Sequence, residues 1–114
     1  MAKPRIRHVA INVQDRDNAA EFYVRVFGLE EKARGANGTI YLSDGFVDVA
    51  LICNPKRSWG IQHFGFQVDS IKTIEEAAGT LVTKAPPQSG VYGEFKLTDA
   101  EGNQLDVSEE GWPV

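Results

Sequence analysis

Ile6-Arg7-His8-Val9-Ala10-Ile11-Asn12-Val13 returns 55 residues later as Ile61-Gln62-His63-Phe64-Gly65-Phe66-Gln67-Val68. Isoleucine, histidine and valine hold the same three places in both octets. The same offset carries Gly38 onto Gly93, Leu42 onto Leu97, Ser43 onto Thr98 and Asp44 onto Asp99. Self-similarity at a fixed period marks one supersecondary unit used twice. Within each octet apolar residues alternate with polar or small ones, the period of a strand with one apolar face. Val9, Ile11 and Val13 share one face, as do Phe64, Phe66 and Val68. His8 and His63 therefore share the opposite face of equivalent strands.

The rest of the unit follows by periodicity. After the first strand, residues 15–18 offer N-caps. Ala19, Ala20, Phe22, Tyr23, Val26 and Phe27 recur at helical spacing and read as core, and Gly28 stops the helix. In the second copy Ser70 is the N-cap, Ile71, Ile74, Ala77 and Ala78 form the buried stripe, and Gly79 ends it. Asp15 and Asp17 read as caps rather than ligands. Three short strands follow each helix, at about 30–34, 39–43 and 47–52, then 81–84, 94–98 and 104–108. The stretches 35–38, 44–45 and 100–103 are turns, and 86–90 is a loop. The order is βαβββ twice, an α+β chain, with 5–53 as module one, 54–60 as linker and 61–109 as module two of a single domain spanning 1–114.

Composition narrows the function. Of 114 residues, 42% are hydrophobic and 25% charged, with a net charge of −4, the balance of a globular domain. No basic run suits nucleic acid, and no apolar run approaches the ~18 residues of a membrane helix. Three cations between Met1 and Arg7 precede no apolar stretch, so a signal peptide is not expected. The one cysteine, Cys53, reads as a strand or loop thiol and fits a reducing, cytoplasmic setting.

The repeated histidine strand carries a family resemblance, together with Phe22-Tyr23 before Phe27-Gly28-Leu29 and Asp99-Ala100-Glu101-Gly102-Asn103 before Leu105-Asp106. From about Ile6 to Glu109 the chain resembles the vicinal-oxygen-chelate superfamily of glyoxalases, bleomycin-resistance proteins and extradiol dioxygenases. The resemblance implies two βαβββ modules curled into an open cup-shaped mixed sheet, helices outside, with metal and small-molecule substrate in the cup. By position it implies His8, His63 and Asp106 as ligands of a divalent metal. The remaining ligand position of glyoxalase-type members falls on Ala50, which cannot ligate; Asp48 shares its face. Two histidines and one carboxylate suit Fe(II), with Mn, Ni, Zn or Co compatible. Tyr92, Lys96 and Tyr41 are the candidate proton or hydrogen-bond donors.

The resemblance leaves three functions open: a dioxygenase-type enzyme, a glyoxalase-like lyase or isomerase, and a non-catalytic binding protein of the bleomycin-resistance kind. For the last, the acidic pI of about 5.1 leans toward a cationic ligand. Homodimerisation is expected, and a ligand set shared between chains is open at this stage. Phe46, Trp59 and Trp112 are candidates for lining a cleft or a contact. Glu109 and Glu110 read as a solvated end.

Overall fold

The computed structural model describes residues 3–84 and 92–114. The loop expected at 86–90 lies outside them. The elements run β1 (Arg5–Asn12), α1 (Arg16–Phe27), β2 (Glu30–Arg34), β3 (Ile40–Ser43), β4 (Asp48–Ile52), β5 (Gly60–Gln67), α2 (Ile71–Ala78), β6 (Thr83–Lys84), β7 (Phe95–Thr98) and β8 (Gln104–Ser108). This is βαβββ twice. All eight strands join one mixed sheet in the order β2-β3-β4-β1-β5-β8-β7-β6. Strand β1 runs parallel to β4, β5 runs parallel to β8, and β1 and β5 pair antiparallel. The two first strands are thus the seam, and their histidines meet at the centre of the sheet.

The caps follow the local chemistry. Asp15 caps α1 by accepting the Asn18 N–H at 3.0 Å, and Ser70 caps α2 by accepting that of Thr73 at 3.2 Å. Gly28 and Gly79 close the helices at φ 69° and 75°, the left-handed region that glycine enters without a Cβ clash.

Helix α1 covers the convex face of module one. Ala20 packs on Ile40, Leu42 and Leu51, joined by Ile11, Val13 and Tyr23. Two sequence expectations are corrected here. Phe22, Val26 and Phe27 do not enter this core and stay 45%, 45% and 66% exposed. The helix needs only the narrow stripe of Ala19, Ala20 and Tyr23 to sit on a sheet of short strands. Likewise α2 buries no residue: Ile71 and Ile74 are half-covered, and Ala77 and Ala78 are exposed. Glu109 is exposed, as expected, and also accepts the Ile71 N–H at 2.7 Å at the start of α2.

The 54–60 linker is pinned by one side chain. Asn12 donates to the carbonyls of Asn54, Arg57 and Ser58 and accepts the Asn54 N–H at 2.7 Å. A buried asparagine with its amide satisfied in this way fixes where the second module starts. Among the described residues no helix is long and apolar enough to cross a membrane.

Candidate metal centre

The registers of five strands place the site in one row across the concave face. Asp48 on β4 pairs with His8 on β1, His8 with Gly65 on β5, Gly65 with Asp106 on β8, and Asp106 with Lys96 on β7. Directly opposed residues on a pleated sheet point to the same side. The neighbouring row holds Tyr41, Ala50, Ala10 and His63. Ala10 pairs with Ala50 as Gly65 pairs with Asp106. Ala50 is therefore the repeat counterpart of Asp106, as expected from the sequence, and module one offers no carboxylate there.

His8 Nε2, His63 Nε2 and Asp106 Oδ2 converge. His8 Nε2 lies 3.3 Å from both other atoms, which lie 3.0 Å from each other. Atoms bound at about 2.1 Å to one metal stand about 3.0 Å apart on an octahedral face and about 3.4 Å apart in a tetrahedron, so the spacing fits a shared ion. Asp106 Oδ2 is buried and, despite these short distances, has no hydrogen-bond geometry to any donor. A buried carboxylate oxygen left this way calls for a cation. Among the described residues no other group of three such ligands comes together.

The surroundings orient this set. His8 Nδ1 lies 2.6 Å from Asp48 Oδ2, so Asp48 backs the imidazole and turns Nε2 toward the other two atoms. Asp48 thus lies against His8 Nδ1, on the side of the ring away from the other two atoms. Lys96 Nζ donates to Asp106 Oδ1 at 2.6 Å and leaves Oδ2 facing the histidines. Trp112 stacks on the His8 ring at 4.6 Å and 4°. Its indole N–H donates to Glu94 Oε2 at 2.6 Å. Gly65 makes room for this: a Cβ there would stand 2.9 Å from the indole and 3.1 Å from the Asp106 backbone.

The charges are strongly coupled. Burial would lower the His8 pKa, but the Asp106 and Asp48 carboxylates beside its two ring nitrogens push it up to about 9. Burial would raise Asp106, but His63 and His8, with the Lys96 ammonium, hold it well below the usual carboxylate range. Burial raises Asp48 against its bond to His8. Glu94 is raised by burial and by the charge of Asp106.

Glu94 is the residue that the sequence reading missed. It is 4% exposed, lines the cup, and its Oε2 lies 3.9 Å from His8 Nε2. Its signal was there: the 55-residue offset carries Thr39 onto Glu94, a carboxylate in place of a hydroxyl.

The other candidates separate by position. Lys96 and Tyr41 line the cup, and Tyr92 packs edge-on against Tyr41 at 5.1 Å. Burial pushes the Tyr41 hydroxyl well above its ordinary pKa, keeping it protonated as a donor. Trp59 is exposed, Phe46 lies under the Arg7 guanidinium at 4.3 Å, and Cys53 is an exposed thiol on the cup wall. The cup encloses about 770 Å³ between the two halves of the sheet. Among the described residues, its single lining acid is Glu94, set against Arg16, Arg57 and Lys96. Arg16 and Arg57 thus add positive charge to a cup in a chain of net negative charge.

The model of the Glyoxalase/Bleomycin resistance protein/Dioxygenase superfamily matches residues 5–107. The chain belongs to this superfamily. Solved structures in it share the fold. The 2,3-dioxygenase LapB from Pseudomonas sp. KL28 superposes with a TM-score of 0.77 at 21% identity, over 96% of this chain and 42% of that one. The chain thus spans less than half of LapB. Hypothetical protein BH1468 from Bacillus halodurans C-125 gives 0.74 at 21% identity, over 99% of both chains. Methylmalonyl-CoA epimerase from Mycobacterium tuberculosis gives 0.69 at 19% identity, over 90% of this chain and 85% of that one. No curated protein matches by sequence.

Proposed function

We propose that this superfamily member is a divalent-metal-dependent enzyme of dioxygenase type, acting on a small molecule that presents two neighbouring oxygens. The observation that carries the reading is the convergence of His8 Nε2, His63 Nε2 and the unpaired Asp106 Oδ2 within 3.3 Å of one another beside an open cup. Two histidines and one carboxylate leave coordination positions open, the set suited to Fe(II). When bound, the ion supplies Lewis acidity to adjacent substrate oxygens and, as Fe(II), redox chemistry.

The chain's own groups prepare that chemistry. Asp48 holds the His8 ring and its tautomer. Lys96 holds one oxygen of Asp106 and partly neutralises it, and its ammonium, on the cup wall, is a candidate proton donor to substrate. Tyr41 is a neutral hydroxyl donor on the opposite wall, with Tyr92 packed behind it. Trp112 covers the back of His8 and keeps water from that side.

A second reading is a lyase or isomerase that moves a substrate proton. Glu94 favours it, as a buried carboxylate in the cup whose raised pKa suits general acid–base work. It would supply the base that Ala50 cannot.

The test is metal content by elemental mass spectrometry of untagged protein purified anaerobically, alongside His63→Ala. Near-stoichiometric iron, absent from the variant and followed by oxygen uptake with catechols, is the expected outcome. Nickel, zinc or manganese lost in the same way, with Glu94→Gln abolishing a proton-exchange activity, would move the assignment to the second reading. No metal after reconstitution with each ion would leave a small-molecule binding module.

A further inference from the structure

The cup carries a second polar feature away from the three ligands. Arg16, at the start of α1, and Arg57, in the linker, both line it. Neither guanidinium has a carboxylate within ion-pair distance among the described residues, whereas Arg25 is held by Glu21 and Arg34 by Glu31 and Asp17. Neutral oxygens position both instead. Arg57 Nη1 donates to the side-chain oxygens of Gln62 at 3.2 Å and Gln104 at 2.8 Å. Arg16 Nη1 donates to the Asn37 carbonyl at 3.1 Å. Gly38, at φ 90°, lets the Arg16 guanidinium lie against the chain, since a Cβ there would fall 2.5 Å from Nη2.

A guanidinium has five N–H donors, and these contacts use few of them. Two arginines fixed by neutral acceptors on the wall of one cavity retain full charge and spare donors. Arg16 is half-buried and Arg57 exposed, so both stay reachable from solvent. Guanidinium groups match carboxylate and phosphate oxygens in particular.

The fold also gives the separation from the ligands. Gln104 stands two residues along β8 from Asp106, about 7 Å at strand rise. We infer that Arg16 and Arg57 form an anion subsite for the tail of the substrate, whose oxygen-bearing head faces His8, His63 and Asp106. The substrate class is then a small molecule with two neighbouring oxygens at one end and a carboxylate or phosphate at the other. This rests on the proposed function, because the head is assigned to that site.

The experiment separates the two ideas. Metal-free protein labelled with ¹⁵N-arginine is titrated with 3-phenylpropanoate, phenyl phosphate and the neutral 3-phenylpropanamide, while the arginine Nε–Hε signals are followed. The Arg16 and Arg57 signals, assigned with Arg16→Gln and Arg57→Gln, should shift with at least one anion and not with the amide. Response to the carboxylate alone, the phosphate alone or both identifies the tail. Each variant should weaken anion binding about tenfold, the scale of one charged hydrogen bond, while binding metal like the parent. If neither anion moves the two signals, or the amide moves them equally, the subsite is overturned. Metal content on the same preparations reports the other reading. Metal without an anion response removes the subsite alone. An anion response without metal removes the enzyme reading and leaves an anion-binding cup.

Discussion

His8 carries most of the physical consequence of this site. Its folded pKa of about 9 lies above the ordinary 6.5, so its charged form is favoured by folding. In the metal-free protein that contribution to stability is full below pH 6.5 and disappears as pH rises through about 9. Metal and proton compete for the same Nε2. Metal binding near pH 7.5 should therefore release about one proton from His8, read by calorimetry in buffers of different ionisation enthalpy, and affinity should rise with pH toward 9. Asp48→Asn should remove the charge behind the imidazole and weaken metal affinity about 10- to 100-fold, measured by chelator competition, with the far-ultraviolet circular dichroism unchanged. An affinity unaltered in this variant would mean that His8 is not held through Asp48. The histidines at 8 and 63 stood out in the sequence by repeat position, and the carboxylate at 106 by the family resemblance. Glu94 and Trp112 did not, because their roles depend on contacts 18 to 104 residues away along the chain.

At the scale of elements, the seam between β1 and β5 decides the geometry. Gly65 sits opposite His8, and its missing side chain is where Trp112 and Asp106 approach. Gly65→Ala should push the indole off the His8 ring and cost about 1 to 3 kcal/mol, as overpacking does. Loss of the near-ultraviolet tryptophan signal with a lower Tm would show it; an unchanged spectrum would mean the ring is not wedged there. The alternation along both first strands was legible in sequence because a strand repeats every two residues. Helix faces were less legible. Phe22, Val26 and Phe27 recur at helical spacing, yet the short strands beneath α1 have room for Ala19, Ala20 and Tyr23 only.

For the whole molecule, both halves of the ligand set lie in one chain, since β1 and β5 of the same chain pair along their length. One metal per chain is therefore expected at any protein concentration, including dilutions at which a dimer would separate. Metal content that falls on dilution would contradict this and point to ligands shared between chains. Phe22, Val26 and Phe27 are exposed apolar residues on α1, and for the homodimer proposed from the sequence, Phe27→Glu should lower the sedimentation mass while leaving metal content intact; an unchanged mass would remove this face as the contact.

Repetition at 55 residues determined the module, its duplication and the shared face of the two histidines, because these depend only on short periods and a fixed offset. The family resemblance identified Ala50 as the position without a ligand, because the second hairpin turn reads as one residue longer than the first. Only the tertiary structure decided that Asp48 backs His8, that Lys96 holds half of Asp106, that Trp112 stacks on His8 and holds Glu94 in the cup, and that two arginines line the cup of an acidic protein. Those relations arise from strand register and from the return of the C-terminal tail across the sheet. They bring together residues with no common spacing in the chain.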